Sequence, residues 1–207
     1  PRTGTALRGC GPARCRSTYR RASIQNKEKH MSTSVANERL AKRFDKWDTD
    51  GNGVLDAGDF QSEAERIAQN LGKNADSPEV QELHDAFKGL YEYLAQKAGV
   101  EAGGAISRQQ FLDATGDMLF KEGEASFNRA LSPIVKALIR LCDDDHDGQI
   151  NAREFQAWLS AVGVPVSQAG ESFQKVDKND DGQLSEDELL QVVREFHFGQ
   201  LEVELLG

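Results

Sequence analysis

The chain has 207 residues, with 34 Asp and Glu against 25 Lys and Arg, a net charge of −9, 38% apolar residues and 29% charged ones. That is enough apolar material for one or two small cores, and too much for a chain disordered throughout. No apolar run approaches the ~18 residues that a membrane helix needs, and three cysteines (Cys10, Cys15, Cys142) cannot build a disulfide framework, which points to a reducing, cytoplasmic compartment.

The charge is unevenly placed. Residues 1–30 hold eight basic groups and one acid, Glu28, so this arm is +7 and the rest of a chain of net −9 carries −16. An acidic body of that size repels nucleic acid and attracts cations. The arm has no apolar periodicity and is rich in Arg, Gly, Ser and Thr, which predicts disorder. Arg20-Arg21 has the look of a twin-arginine export signal, but no hydrophobic stretch follows it. The favoured reading is upstream or fusion-derived sequence with Met31 as the start. A nucleic-acid or membrane arm is the alternative, for which Tyr19 is the one stacking group. Cys10 and Cys15 have only His30 near them and predict no zinc site.

From Val35 onward the pattern is helical. Leu40, Phe44 and Trp47 share one face of a first helix. Ser77-Pro78-Glu79 is a start signal: a capping Ser, a Pro at the first helical position and an acid in the first turn. Val80, Leu83, Phe87, Leu90 and Leu94 then mark a long amphipathic helix. Ser132-Pro133 reads as another start, leading into Ile134, Ala137, Leu138 and Leu141, and Glu186 to Phe196 predicts a last helix. The body is predicted to be all-α.

Acidic, Gly-containing segments separate the helices. Aligned on their central glycine they form an internal repeat, and three of them fit the calcium loop of the EF-hand, with oxygen ligands at loop positions 1, 3, 5, 7, 9 and 12. The first loop runs from Asp48 through Asp50, Asn52 and Val54 to Asp59. The next complete one runs from Asp143 through Asp145, Asp147 and Gln149 to Glu154. The last runs from Asp177 through Asn179, Asp181 and Gln183 to Glu188. Calcium takes six to eight oxygens at about 2.3–2.6 Å, which a short loop can wrap around it. Side chains at positions 1, 3 and 5 and the carbonyl at position 7 converge on the ion, and the twelfth residue closes the cage. Position 9 (Asp56, Asn151, Ser185) often acts through water. Position 6 turns sharply where a Cβ would clash, and Gly53, Gly148 and Gly182 stand there. Two apolar registers support the alignment independently. Leu55, Ile150 and Leu184 at position 8 suit a short bridge between loops, and Phe60, Phe155 and Leu189 at position 13 begin the core face of the exiting helix. A single such segment is an ordinary turn; three in full register are not.

Hands pack in pairs, and residues 99–110 supply the missing partner of the first. Gly104 falls at position 6, Ile106 at position 8 and Phe111 at position 13, but Gly99 and Gly103 offer no side-chain oxygen and Gln110 no anion. This hand is predicted to be structural, with Ile106 bridging to Leu55. The resulting division is a hand pair over 31–119, hand one active and hand two degenerate, and a second pair over 120–207 with both hands active and a short tail. Asp59, one methylene shorter than Glu, reaches less easily with both oxygens, so the first site is predicted to have mixed calcium and magnesium character.

With hands one, three and four intact and hand two degenerate, the chain resembles the sarcoplasmic calcium-binding proteins, and among them the calerythrin-like bacterial members. The likeness covers roughly residues 35–200. It implies two pairs of helix-loop-helix hands packed into a compact globule that serves as a cytosolic calcium buffer or transporter.

Within that frame the expected activity is calcium buffering by a monomer, with Ca2+ at about three sites, Mg2+ competing at the first, and no nucleic-acid or membrane partner. A sensor that grips an unidentified target protein through a calcium-exposed groove is the alternative. Adaptable grooves are typically Met-rich, whereas this chain has only Met31 and Met118. Leu201, Val203 and Leu205 alternate with Gln200, Glu202 and Glu204, which fits either a plug in a groove between the hand pairs or a frayed terminus. Catalysis is not expected: His30, His84, His146 and His197 are scattered, Cys142 reads as a packed thiol, and Trp47 and Trp158 as core.

Overall fold

In the computed structural model the described residues are 34–203 and 205; the basic arm over 1–30, its two cysteines and Met31 lie outside them. The first helix, α1 (34–47), turns Ala36, Leu40, Phe44 and Trp47 inward, as its spacing dictates. The chain continues through β1 (Val54–Leu55), α2 (Ala57–Asn70), α3 (Pro78–Lys97), β2 (Ile106–Ser107), α4 (Arg108–Asp117), a single π-turn over Met118–Glu122 and α5 (Glu124–Cys142). It ends with β3 (Ile150–Asn151), α6 (Ala152–Ala161), α7 (Val166–Val176), β4 (Gln183–Leu184) and α8 (Glu186–His197). Among the described residues the fold is therefore all-α, relieved only by four two-residue strands.

Those strands do what the position-8 residues predict. β1 and β2 pair antiparallel with Leu55 opposite Ile106, and β3 and β4 with Ile150 opposite Leu184. All four of these side chains are buried, as are Phe60, Phe111, Phe155 and Leu189 at position 13. Each bridge thus ties two loops together above a shared apolar layer.

Exit helices begin where they do because loop positions 9 and 12 also form capping boxes. Asp56 with Asp59, Ser107 with Gln110, Asn151 with Glu154 and Ser185 with Glu188 each exchange hydrogen bonds across the first turn. α3 starts as predicted, with Ser77 accepting from Val80 N and Pro78 in the first turn.

Ser132-Pro133 is not a helix start. α5 begins nine residues earlier in the chain, at Glu124, and runs through Pro133 to Cys142. Phe127 and Ala130 before the proline and Ile134, Val135 and Leu138 after it are all buried, so one apolar face spans the break. Burial of that face outweighs the ~3 kcal/mol penalty of an interior proline. Ser132 Oγ donates to Glu186 Oε1 on α8 (3.2 Å) in place of capping.

The two hand pairs share one continuous core. α3 packs along α5, α2 lies against α3 and α6, and α5 also meets α8. Trp47 sits at the centre of an aromatic cluster, with Phe60, Phe87 and Phe111 ring centroids 4.8, 6.5 and 6.0 Å away. The tail belongs to the core as well: Val203 and Leu205 are buried. Arg39 of α1 holds it there, donating to Phe196 O and to Leu201 O and stacking on the Phe196 ring. No described helix is long and apolar enough to cross a membrane.

Candidate metal centres

Three loops are built alike from residue one. The first aspartate of each accepts from the backbone N–H of the sixth residue: Asp48 from Gly53 (3.0 Å), Asp143 from Gly148 (2.9 Å) and Asp177 from Gly182 (2.9 Å). The glycines stand at φ of +83°, +82° and +82°, where a side chain would be strained. Position 4 is left-handed too, at Gly51, His146 and Asp180. His146 lies exposed at its loop position.

Positions 3 and 5 fold inward on local bonds. Asp50 accepts from Asn52 N, Asp145 from Asp147 N, and Asn179 from Asp181 N, at 3.0, 3.3 and 2.9 Å. Position 5 in turn holds the amide of position 7: Asn52 Oδ1 accepts from Val54, Asp147 Oδ1 from Gln149 and Asp181 Oδ1 from Gln183. Chains of such turns orient side-chain oxygens toward one concave face of the loop.

Position 12 closes each loop. Asp59 Oδ1 accepts from Thr49 N and Oγ1, and its Oδ2 from Asp56 N (3.0 Å). Glu154 Oε1 accepts from Asp144 N (2.9 Å) and its Oε2 from Asn151 N (3.0 Å). The shorter Asp59 thus reaches the same two backbone positions as Glu154. Glu188 Oε2 accepts from Ser185 N and Oγ.

Among the described residues, Asp48, Asp50 and Asp59 form one group whose carboxylate oxygens lie within 4.8 Å of one another, and Asp143, Asp145 and Asp147 form another. Asp177, Asp181 and Glu188 are not among these groups, and Asn179 stands at position 3 of that loop. The donor set in all three loops is oxygen alone, which suits hard cations. A more specific sign lies at position 1. The Oδ1 atoms of Asp48 and Asp177 are buried and accept no hydrogen bond. An orphaned carboxylate oxygen in a buried place is costly unless a cation stands against it. The residues therefore fit a bound Ca2+, with Val54, Gln149 and Gln183 supplying the carbonyls of position 7.

The loops of the second pair are also joined by a side chain that the spacing did not single out. Gln183 Nε2 of the last loop donates to Asp147 Oδ2 of its neighbour (3.0 Å). Nearby, Lys73 on the α2–α3 connection pairs with Asp144 (2.9 Å) and holds its carboxyl below the usual range.

Residues 99–110 follow a different course. Of the two adjacent glycines Gly103 is left-handed, at φ of +81°, while Gly104, which the alignment puts at position 6, is not. α3 ends at Lys97 and Gly99 forms its left-handed cap, so the loop begins in a helix-closing turn. Gly104 is required for another reason: a Cβ there would stand 2.6 Å from the Val100 side chain. Gln110 imitates a closing glutamate, its Oε1 accepting from Ser107 N (3.0 Å) and Oγ (2.7 Å), while its Nε2 donates to Ala98 O. An amide that satisfies both strands of the loop leaves nothing for a cation to neutralise.

Outside the loops, burial silences two groups. Cys142 is buried and its thiol is pushed up to about 12 by desolvation. His197 is buried against Phe127 and pushed down to about 4, first by burial and then by the Arg43 and Arg39 charges.

Residues 136–194, which contain the second and third complete loops, match the EF-hand domain pair family. Calerythrin of Saccharopolyspora erythraea is 54% identical over 177 residues, covering 86% of this chain and 100% of that protein. The luciferin-binding protein of Renilla reniformis is 30% identical over 171 residues, 81% of this chain and 88% of its own length. A Streptomyces coelicolor calcium-binding protein, described as a structural basis for prokaryotic calcium-mediated regulation, superposes with a TM-score of 0.66 at 27% identity, over 79% of this chain and 98% of its own. The resemblance inferred from the loops is thereby upheld: the chain belongs to the calerythrin family of EF-hand calcium-binding proteins.

Proposed function

We propose that the protein is a cytoplasmic Ca2+ buffer that acts by binding and not by catalysis. It takes three ions per monomer through the loops at 48–59, 143–154 and 177–188, with Mg2+ competing at the first and the hand at 99–110 serving as a structural partner. The observation that carries the reading is the pair of orphaned, buried position-1 oxygens on Asp48 and Asp177, set in loops whose remaining oxygens are already folded inward. A loop organised in this way binds with little rearrangement, and ligand binding to the folded state alone stabilises it by mass action.

A closed core supports buffering over sensing. Among the described residues only Phe120 and Val166 are large, apolar and exposed, and Met118 is buried. The sensor reading draws its support from the likeness to the Streptomyces coelicolor protein, whose description concerns calcium-mediated regulation.

The test is a calcium titration at constant millimolar Mg2+ that counts ions per chain while a hydrophobic dye reports exposed apolar surface. Three ions with flat or falling dye fluorescence agree with the buffer. A steep rise in dye binding would overturn it in favour of a target-binding sensor.

A further inference from the structure

The loop at 143–154 meets a cation supplied by the other hand pair. Lys73 stands on the α2–α3 connection, and its Nζ lies 2.9 Å from Asp144 Oδ1. Asp144 is loop position 2. It lies outside the convergent carboxylates of Asp143, Asp145 and Asp147, but it directly follows the first of them. The loop as a whole sets these four aspartates and Glu154 against one base of its own, Arg153.

The fold fixes where this lysine stands. α2 closes at Leu71 with Gly72 left-handed, at φ of +66°, and the N–H of Lys73 donates to Ala68 O (3.0 Å). That is a Schellman closure, which pins the backbone carrying the side chain. The end of α2 is in turn held against the second pair. Arg66 Nη1 (3.2 Å) and Asn70 Nδ2 (2.8 Å) both donate to Ala161 O, on the last residue of α6. Lys73, Asp143 and Asp144 line an open polar cleft of about 530 Å³ between the pairs, where Arg140 of α5 also pairs with Glu82 of α3.

The side chains of Lys73 and Asp144 are 31% and 64% exposed, so the ion pair contributes little to stability by itself. Its effect on the loop is separate. A positive charge beside an acidic loop eases the repulsion among the carboxylates while the loop is empty, and opposes a divalent cation that enters it. Both effects lower the affinity.

We propose that Lys73 is an affinity-setting residue that reaches across from the first hand pair and holds down the calcium affinity of the loop at 143–154. The inference rests on the reading of that loop as a calcium site. Coupling is reciprocal, so an ion in the loop weakens the hold of Asp144 on Lys73 by the same factor. The tie between the two hand pairs is therefore tighter in the calcium-free protein.

The test uses the intact chain at low ionic strength, with free calcium set by a chelator. The amides of Gly53, Gly148 and Gly182 report the three loops separately in one NMR spectrum, since each donates to the first aspartate of its own loop. Lys73→Met should raise the affinity read at Gly148 by about threefold to fivefold, the scale of one charge acting on a divalent ion through water, and leave Gly53 unmoved. Lys73→Glu should raise it further, and Lys73→Arg should keep the unaltered value. Salt near 1 M, where the screening length falls to about 3 Å, should erase these differences. A second readout needs no ion: in the calcium-free protein Lys73→Met should lower the denaturant midpoint. Stability and affinity then move in opposite directions, whereas loss of a merely structural lysine lowers both. In an Asp144→Asn background, which removes the anchor, Lys73→Met should change either quantity much less. If Gly148 of the unaltered chain does not respond to calcium, the calcium reading of this loop fails and the inference with it. If Gly148 responds and Lys73→Met leaves its midpoint unchanged or weakens it, the inference alone is overturned.

Discussion

Asp59 shows how little one methylene need change the geometry and how much it can change the ion. Its two oxygens reach the amides of loop positions 2 and 9 as Glu154 does in the second complete loop. A shorter arm lends itself to a single-oxygen contact, which suits six-coordinate magnesium, bound at about 2.0–2.1 Å against calcium's 2.3–2.6 Å. Asp59→Glu is expected to shift the first loop's preference toward calcium by roughly tenfold, about 1.4 kcal/mol. Competition of the two ions followed by Trp47 fluorescence reads this directly, and unchanged magnesium competition would reverse the assignment. His197 offers a second test at a single side chain. Its pKa falls from an ordinary 6.5 to about 4 on folding, so between those values the unfolded chain holds a proton that the folded one refuses. Stability is then complete above pH 6.5 and is lost as pH falls toward 4, by about 3 kcal/mol over the window. His197→Phe should flatten the slope of stability against pH between 4 and 6.5 relative to the unaltered protein. Comparing the two cancels the loop carboxylates, and parallel slopes would show that burial of this ring does not govern its titration.

At the level of helices and loops, local chemistry and long-range packing disagree in one instructive place. Ser132-Pro133 has every mark of a helix start, and the chain ignores it because Phe127, Ala130 and Ile134 continue one buried face across the proline. Restoring the missing N–H with Pro133→Ala should stabilise the fold, by up to about 3 kcal/mol, seen as a higher midpoint in denaturant with an unchanged slope. A lower midpoint would mean that the proline fits a bend which α5 needs. The geometry of the three complete loops was readable from spacing alone, since their turns, glycine and apolar positions are fixed by contacts within about a dozen residues. So were the β bridges and the long helix α3. The start of α5 and the π-turn before it were not, because both depend on which face the distant helices α3 and α8 leave to be covered. The degenerate loop was half readable. Its want of ligands is plain in Gly99, Gly103 and Gln110, but the displaced turn at Gly103 follows from a helix that ends at Lys97 and closes on itself. The doubling of positions 9 and 12 as capping boxes had a visible signal in Ser185-x-x-Glu188 and Asn151-x-x-Glu154, a capping residue three places before an acid.

Across the whole molecule, the question of buffer or sensor becomes a question about what keeps the core shut. The tail is the piece best placed to do so. After α8 ends at His197 the chain turns back, and Val203 and Leu205 are buried while Arg39, from the first described helix, donates to Leu201 O and to Phe196 O. The last residues described are thus pinned to the first, and the alternating pattern of Leu201, Val203 and Leu205 reads as a plug and not as a fraying end. Each buried aliphatic side chain contributes about 1.5–3 kcal/mol, so removing residues 199–207 should destabilise the calcium-loaded protein by about 3 kcal/mol or more. It should also uncover apolar surface that a hydrophobic dye binds without any change in calcium. Arg39→Ala keeps the plug but removes its clasp, and should give a smaller loss in the same direction. If the truncated chain binds dye and still counts three calcium ions, the tail is what keeps an apolar groove from being exposed. If truncation leaves both stability and dye binding unchanged, closure resides in the packing of α3 on α5, and the tail plays no part in it.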